Sequence, residues 1–380
     1  MISVIIPTYK RSENLANAIE SVLSQNGDFE LIVVDDNDPN TEYRKANEKL
    51  IEKYIDNSRF TYIKHNKNKN GAAARNTGIN ASKGDYVTFL DDDDIFCDNR
   101  IKKVEEVIKK ENPDFICTGI IIKKNGIVER NIVPNLSKDI TKLQIDLLNQ
   151  KSFFGTGSNI ICRKEIVTKI KGFDEKFRRN QDIEFAIRAL DYAKKVKCIP
   201  ELLVIKNVDD YMNVPTLKVM METKNMFLNK FSYILDKLPK NEKKEIIKNN
   251  YSELLKVAHL RGDRNDIREC KKYLKSINQY SIIDDIKIQL KITIKGLYLT
   301  KKIRSLIKKW KKFVLWCLQF LILEESRELF LYCAMHWIKE DIKYLKEKVA
   351  AGCDFLTTQM FFDNNLLYNF LYKIREAGIC

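Results

Sequence analysis

Residues 86–94 read Tyr-Val-Thr-Phe-Leu-Asp-Asp-Asp-Asp, a buried-strand pattern that runs directly into four adjacent carboxylates. Similar short apolar runs recur through the first half of the chain, with helical patterns between them. These strand patterns cover residues 2–6, 31–34, 60–64, 85–90 and 115–122. Strands and helices that alternate in units of about 30 residues predict parallel strands joined by right-handed crossovers. We therefore predict an α/β fold with a Rossmann-like, mostly parallel sheet flanked by helices.

Polar residues follow the first two predicted strands. A doubly wound sheet binds its ligands at the carboxyl ends of its strands. The first strand ends in residues 7–11, Pro-Thr-Tyr-Lys-Arg, and the second ends in residues 34–38, Val-Asp-Asp-Asn-Asp. Carboxylates in such positions can accept hydrogen bonds from a nucleotide base or ribose. Turns are also rich in Asp and Asn, so this motif alone leaves both interpretations open.

The four carboxylates at residues 91–94 repel one another, and a bound cation would relieve that repulsion. Asp91 and Asp93 can face one hard divalent ion, whose open positions would take diphosphate oxygens. A solvated acidic turn would also explain the cluster. A calcium loop fits poorly, because Phe96 stands where that loop requires glycine and no glutamate stands at its last position.

Two later segments carry further candidate groups. Residues 71–78, Gly-Ala-Ala-Ala-Arg-Asn-Thr-Gly, read as a glycine turn that opens a helix of small residues, from which Arg75 can meet a phosphate or brace the aspartates. Close packing of a helix on the sheet explains the alanines equally well. Residues 180–184, Asn-Gln-Asp-Ile-Glu, begin a helical pattern, so Asp182 is either a helix cap or a rigidly held catalytic base.

These motifs, in this order and at these separations, resemble those of the family 2 glycosyltransferases of the GT-A fold. The resemblance covers about residues 1–205 and rests on PTYKR, VVDDN, GAAARNTGI, FLDDDD, GFDE and QDIEFAIR. It implies a metal-dependent, inverting hexosyltransferase that moves a sugar from a nucleoside-diphosphate sugar, with UDP-sugar as the expected donor. The implied acceptor is a glycan or a lipid-linked molecule in cell-surface polysaccharide assembly. No Q-x-x-R-W motif follows, so we expect a non-processive enzyme.

The resemblance also implies roles for individual residues. Asp182 matches the catalytic base, and Asp93 and Asp91 match the carboxylates that hold the divalent cation, Mn or Mg. Gln181 stands where an acid usually precedes the base, a variant that we associate with many members of the family. The expected nucleotide-binding residues are Pro7, Thr8, Tyr9, Arg11, Asp35, Asp36, Gly71, Arg75, Asp91 and Asp92.

The charge of the chain indicates an anionic partner. Its 380 residues include 67 Lys and Arg and 52 Asp and Glu, for a net charge of +15. Residues 286–323 contain no acid, and ten basic residues there precede an apolar run, a layout typical of an interfacial membrane helix. That run, residues 313–323, is shorter than the roughly 20 residues of a spanning helix. We expect a cytoplasmic protein, peripheral on the inner face of the plasma membrane, since the amino terminus lacks a secretory-signal pattern.

Three regions are predicted: a GT-A catalytic domain at 1–210, a basic helical appendage at 211–325 that meets a membrane surface or the acceptor, and a non-catalytic tail at 326–380. Residues 339–378 resemble a fragment of methylenetetrahydrofolate reductase, but they supply only a small part of its barrel, so we expect no reductase activity.

Two other functions stay open: a catalytically inactive GT-A scaffold and a nucleic-acid-binding protein. Nucleic acid is not an expected partner, because the basic segment lacks a known reader motif.

Overall fold

The computed structural model describes most of the chain up to residue 276. The described residues are 1–152, 154, 156–208, 216–261 and 264–276, together with Tyr280, Asp285 and Ile288. Residues Met1–Ile292 group as one compact unit. The predicted interfacial segment at 286–323, apart from Ile288, and the predicted tail at 326–380 lie outside the described residues.

Nine strands form one mixed sheet in the described part of the chain. They are β1 Ile2–Thr8, β2 Phe29–Asp35, β3 Phe60–Lys64, β4 Tyr86–Phe89, β5 Ile95–Phe96, β6 Phe115–Lys124, β7 Ile127–Ile132, β8 Ile161–Arg163 and β9 Val196–Val208. Their spatial order is β3-β2-β1-β4-β8-β6-β9-β5, and β7 pairs with β6 outside that path. The strands β3, β2, β1 and β4 run parallel, as do β6 and β9, whereas β5, β7 and β8 pair antiparallel. The predicted α/β fold is confirmed, and the antiparallel strands make its sheet mixed.

Helices flank this sheet and follow it in the chain. They are α1 Ser12–Leu23, α2 Glu42–Ile51, α3 Gly71–Ala81, α4 Arg100–Glu111, α5 Ile140–Leu148, α6 Lys164–Lys169, α7 Gln181–Leu190, α8 Leu217–Lys230, α9 Ser232–Leu235, α10 Lys240–Arg261 and α11 Arg264–Ser276, with a 3₁₀ turn at Gly157–Asn159. Of the helices in the described ranges, none is long and apolar enough to cross a membrane.

The central strands β1, β2 and β4 are buried on both faces, because successive residues of these strands point alternately into two hydrophobic clusters. Along β1, Val4 and Ile6 belong to the cluster that α1 covers, whereas Ile5 faces the cluster that contains α3. A strand that is buried on both faces reads as a nearly continuous apolar run. This burial explains why the predicted strands lacked a strict alternation of apolar and polar residues.

The small residues of α3 let it pack closely on β1. Ala72 and Ala74 are fully buried, and a Cβ placed on Gly78 would lie only 2.4 Å from Cγ2 of Ile5. Close helix-on-sheet packing, one of the two explanations offered for this segment, therefore accounts for the alanines and for Gly78. Arg75 then remains as the polar side chain of this helix to examine at the site.

Helices α8 and α10 share a hydrophobic cluster with the sheet. Phe227 of α8 and Leu254 of α10 belong to the same cluster as Phe185 of α7. The helical region after β9 thus buries apolar side chains against the α/β part of the same compact unit. The division into separate domains at residue 210 stays a prediction.

Candidate active site

The strand ends bring the candidate residues to one edge of the sheet. Thr8 at the end of β1 lies in register with Asp35 at the end of β2. On the other side of β1, the backbone nitrogen of Leu90 donates to the carbonyl oxygen of Ile5, so the aspartates at 91–94 follow β4 toward the same edge. The parallel pairing of β2, β1 and β4 therefore assembles the groups that the sequence placed after each strand.

Asp92 connects the loop after β1 to the aspartate cluster. Thr8 Oγ1 donates a hydrogen bond of 2.8 Å to Asp92 Oδ2, and the backbone nitrogen of Tyr9 lies 3.3 Å from the same oxygen. Burial raises the pKa of Asp92 to about 6, although the hydrogen bond from Thr8 acts in the opposite direction. Arg11 forms an ion pair with Asp93, and its Nη1 lies 3.9 Å from Asp92 Oδ1.

Three of the four aspartates form a candidate cation site. One oxygen from each of Asp91, Asp93 and Asp94 can be chosen so that all lie within 4.8 Å of one another. Burial and, to a smaller extent, the charge of Asp91 together raise the pKa of Asp94 to about 7. Carboxylate oxygens are the donors that magnesium and manganese prefer. The site thus fits a divalent cation, which would compensate the charge of carboxylates that are buried close to one another.

Asp94 is the member of this group that the sequence assignment did not select. Ser158 Oγ, in the 3₁₀ turn, donates a hydrogen bond of 2.6 Å to Asp94 Oδ2, and the backbone nitrogen of Asn207 in β9 lies 3.1 Å from Oδ1. The Asn207 side chain also donates to the carbonyl oxygen of Asp93. The run of four aspartates was the available signal, but its interpretation stopped at the two-residue spacing of Asp91 and Asp93.

Arg75 braces the aspartate cluster from α3. Its Nη2 lies 2.5 Å from Asp91 Oδ1, and its Nη1 donates a 3.0 Å hydrogen bond to Gln181 Oε1 at the start of α7. Burial alone would raise the pKa of Asp91, but Arg75 and Lys206 outweigh it and hold that pKa below its usual value. A Cβ on Gly71 would lie 3.1 Å from Arg75 Nη1. Glycine at position 71 therefore leaves room for the guanidinium.

Asp182 lies in the first turn of α7 and is half-buried. In the part of the chain that the structure describes, its carboxylate accepts one hydrogen bond, of 2.9 Å, from the backbone nitrogen of Ile183. A Cβ placed on Gly157 would lie 3.6 Å from Cβ of Asp182. Asp182 therefore adjoins the 3₁₀ turn whose Ser158 holds Asp94, and its carboxylate retains acceptor capacity for a substrate hydroxyl.

Asp35 is fully buried and its oxygens are occupied by protein donors. Oδ1 accepts from the backbone and side-chain nitrogens of Asn37 at 2.9 Å, while Oδ2 accepts from Asn47 at 2.9 Å and from Tyr62 at 2.6 Å. Arg44 Nε lies 3.3 Å from Asp35 Oδ1. Because Arg44 and Asn47 lie in α2 and Tyr62 lies in β3, Asp35 ties those elements to β2. The structure thus gives Asp35 a role in joining these elements, and its predicted nucleotide contact stays a prediction.

Asp36 organises the loop that leads into α3. It accepts from His65 Nδ1 at 2.7 Å, from the backbone nitrogen of Lys69 at 2.8 Å, and from the backbone nitrogen of Asn70 at 2.9 Å. The Asn70 side chain in turn caps α3 by accepting from the backbone nitrogens of Ala72 and Ala73. Asp36 thereby sets where α3 begins, and its predicted nucleotide contact stays a prediction.

The remaining predicted contacts differ in exposure. Pro7 is buried within β1, where it lies in register with Val34. Tyr9 is 39% exposed and stands at the rim of the same edge. Pro7 therefore shapes the strand end, whereas Tyr9 is accessible to solvent at the rim, with Lys10 Nζ over its ring.

The Gly-Phe-Asp segment at residues 172–174 docks α7 onto α3. The Asn76 side chain donates to the carbonyl oxygen of Phe173 at 2.9 Å and accepts from its backbone nitrogen at 2.7 Å. The Phe173 ring stacks on Phe185 of α7, with centroids 4.3 Å apart. Gly172 has φ of +68°, and a Cβ there would lie 2.3 Å from Asn76 Oδ1. The motif thus positions the helix that carries Asp182.

Comparisons with known proteins agree with these features. The family profile described as Glycosyl transferase family 2 matches residues 3–171. The chain is 30% identical over 247 residues to an uncharacterized glycosyltransferase of Methanocaldococcus jannaschii, a match that covers 60% of this chain and 82% of that protein. It is 28% identical over 234 residues to the poly(ribitol-phosphate) beta-N-acetylglucosaminyltransferase TarP of Staphylococcus aureus, covering 60% and 68%.

A solved structure and a second family profile complete the comparison. The crystal structure of S. aureus TarS 1-349 aligns with a TM-score of 0.52 at 15% identity, over 79% of this chain and 93% of that one, so the two share a fold. The profile of methylenetetrahydrofolate reductase matches residues 331–380, which confirms the likeness of the tail. With its α/β sheet and a relative at 30% identity matched over 82% of its length, the chain belongs to glycosyltransferase family 2.

Proposed function

We propose that this chain is a metal-dependent, inverting and non-processive glycosyltransferase. It transfers one sugar from a nucleoside-diphosphate sugar, with UDP-sugar as the expected donor, to a glycan or lipid-linked acceptor of cell-surface polysaccharide assembly. The observation that carries the proposal is the grouping of Asp91, Asp93 and Asp94 oxygens within 4.8 Å, with Asp182 beside the turn that holds Asp94. The name of the S. aureus relative, which denotes sugar transfer to poly(ribitol-phosphate), supports the acceptor class.

The cation site has a defined task in this proposal. Asp91, Asp93 and Asp94 would hold a divalent cation, Mn or Mg, which supplies positive charge to the departing nucleoside diphosphate. Arg75 keeps Asp91 in its charged form, because the ion pair lowers the pKa of that carboxylate. Thr8 and Tyr9 fix Asp92 through two donors, which orients the loop that faces the nucleotide.

Asp182 is the proposed base. Its carboxylate accepts the proton of an acceptor hydroxyl while that oxygen forms a bond to the anomeric carbon of the donor sugar. The bond between the anomeric carbon and the diphosphate oxygen breaks in the same step, and the electron pair leaves with the nucleoside diphosphate. Because the new bond forms opposite the one that breaks, the anomeric configuration inverts.

We also propose that the protein is cytoplasmic and attaches peripherally to the inner face of the plasma membrane. The support is the basic and apolar segment at residues 286–323. Flotation of the full chain with vesicles that contain anionic lipid tests this part separately. We expect binding that weakens as the ionic strength rises.

Calorimetric titration of UDP with and without Mn²⁺ tests the catalytic proposal on wild-type protein, Asp93→Ala and Asp98→Ala. Asp98 is an exposed carboxylate four residues after Asp94 and serves as the matched control. We expect UDP binding that requires Mn²⁺, is lost in Asp93→Ala and is kept in Asp98→Ala. If UDP does not bind, the same titration follows with GDP, CDP and dTDP. Failure of all four nucleotides would contradict the proposal and favour an inactive scaffold.

A further inference from the structure

Two arginines approach the aspartate cluster, and they are held differently. Arg75 has a side-chain exposure of 14% and a second partner in Gln181. Arg11 has a side-chain exposure of 40%, and its charged partners among the described residues are Asp92 and Asp93. Arg75 is therefore a fixed brace, whereas Arg11 is a solvent-accessible cation whose ion pairs lie within the cluster.

Arg11 pairs with a carboxylate that also belongs to the cation site. Asp93 contributes one of the three oxygens that lie within 4.8 Å of one another. A guanidinium and a divalent cation on the same carboxylate repel each other, because like charges at a few ångströms interact strongly near a protein surface. Binding of a divalent cation alone must therefore weaken or displace the contact between Arg11 and Asp93.

A diphosphate offers Arg11 a replacement partner at the same edge of the sheet. The planar guanidinium donates two parallel hydrogen bonds to phosphate oxygens, an arrangement that suits arginine better than lysine. Arg11 lies in the loop after β1, three residues from Thr8, and Thr8 already holds Asp92 at 2.8 Å. The loop can thus stay in place while the Arg11 side chain turns from Asp93 to the diphosphate.

We propose that Arg11 is a positioning residue that neutralises Asp93 in the absence of donor and transfers to the diphosphate when donor binds. This step couples the two ligands: the nucleotide releases Asp93 for the cation, and the cation favours the state in which Arg11 is available to the nucleotide. By thermodynamic linkage, each ligand raises the affinity for the other by the same factor. The inference rests on the proposed function, since the transfer of Arg11 requires a nucleoside diphosphate.

The test measures the affinity for Mn²⁺, with and without saturating UDP, by calorimetry on wild-type protein, Arg11→Met and Lys10→Met. The matched control is Lys10→Met, which removes one positive charge from the same loop. The Nζ of Lys10 lies over the Tyr9 ring, 5.0 Å from its centroid. For Arg11→Met we expect affinity for Mn²⁺ alone to rise about tenfold, and the factor by which UDP enhances it to fall about tenfold, within the usual range of coupling energies. Lys10→Met should match the wild type in both.

Two results would overturn the inference: Arg11→Met binds Mn²⁺ alone no more tightly than Lys10→Met, or none of the three proteins binds Mn²⁺. If the wild type binds Mn²⁺ but no nucleotide, the proposed function has failed, and the comparison in Mn²⁺ alone then decides the role of Arg11. Tighter binding by Arg11→Met would still show that Arg11 neutralises Asp93. Equal binding would show that it does not.

Discussion

Arg75 Nη2 lies 2.5 Å from Asp91 Oδ1, and this ion pair joins α3 to the aspartates that follow β4. The same guanidinium reaches Gln181, the residue before the proposed base, through its Nη1 at 3.0 Å. The cation site and the start of α7 are therefore held by one side chain. A disturbance of Arg75 should affect nucleotide binding and catalysis together.

Arg75→Lys should lower nucleotide affinity in the presence of Mn²⁺ and the turnover number by about tenfold each. Lysine keeps the charge, but a single ammonium cannot reproduce the planar, two-ended contact of a guanidinium. Calorimetry and steady-state kinetics measure the two effects. Arg59→Lys is the control, because Arg59 lies over the Phe29 ring at the other end of β2. Wild-type values for Arg75→Lys in both measurements would show that the paired contacts of the Arg75 guanidinium with Asp91 and Gln181 are dispensable.

Asp182→Asn should lower the turnover number by about 10²–10⁴-fold, the usual contribution of a general base. The amide keeps the shape of the side chain but cannot take a proton from the acceptor hydroxyl. UDP affinity should stay within about twofold of the wild type, because the nucleotide contacts are assigned to other residues. A loss of UDP affinity without a loss of turnover would place Asp182 in donor binding and remove it as the base.

Gly172→Ala should destabilise the protein more than Gly126→Ala. Both glycines have positive φ, +68° and +77°, so both substitutions carry a backbone cost of about 1–2 kcal/mol. A Cβ on Gly172 would also lie 2.3 Å from Asn76 Oδ1, whereas a Cβ on Gly126 would meet nothing within 4 Å. Overlap of this kind lowers the free energy of unfolding by about a further 1–3 kcal/mol. Urea unfolding measures the difference, and equal losses would show that Asn76 moves aside freely.

Lys230→Met should lower the free energy of unfolding at pH 7 by about 1–3 kcal/mol, the usual range for hydrogen bonds to charged groups. Lys230 Nζ lies 2.5 Å from Asp174 and 2.6 Å from Glu184, so it ties the end of α8 to the Gly-Phe-Asp segment and to α7. Lys237→Met, at an exposed position seven residues later, is the control. A loss no larger than that of the control would show that these ion pairs are energetically neutral.

The loss of unfolding free energy in Lys230→Met should depend on pH. Burial would raise the pKa of Asp174, but Lys230 and other donors outweigh it and lower that pKa below its usual value. A lowered pKa in the folded state adds stability above the unfolded pKa, about 3.9, and this stability is lost as the pH falls through the folded pKa. The difference between wild type and Lys230→Met should therefore narrow below about pH 4. A difference that stays constant down to pH 3 would exclude this linkage.

Five of the nine strands of the described sheet could be predicted: β1, β2, β4 and β6 are apolar runs that are largely buried, and β3 is a short run at the edge of the sheet whose Phe60 is buried. The longest strand, β9, was missed because Pro200 interrupts its pattern. The pairing of β6 with β9 shifts register at Gly119, where a Cβ would lie 2.9 Å from the carbonyl oxygen of Pro200. Strands β5 and β8 contain two and three residues, too few for any periodicity.

The positions of candidate residues were predictable where they lie just after or at the start of an element that the pattern locates. Asp91 and Asp93 come soon after β4, and Asp182 lies in the first turn of α7. The role of Asp94 could not be predicted from the sequence, because its partners Ser158 and Asn207 come 64 and 113 residues later. Asp35 and Asp36 are adjacent in sequence, and only the positions of α2, β3 and the loop before α3 separate their roles.

The hydrogen bonds of Asp36 also set a rule for building chimeras with related transferases. The backbone of Lys69 and Asn70 is fitted to Asp36, and His65 joins Asp36 to Thr77 of α3 through bonds of 2.7 and 2.8 Å. A graft that replaces α3 without the end of β2 would pair a foreign loop with a native carboxylate. The end of β2, the loop and the first two turns of α3 therefore form one exchangeable cassette, to be moved together or left intact.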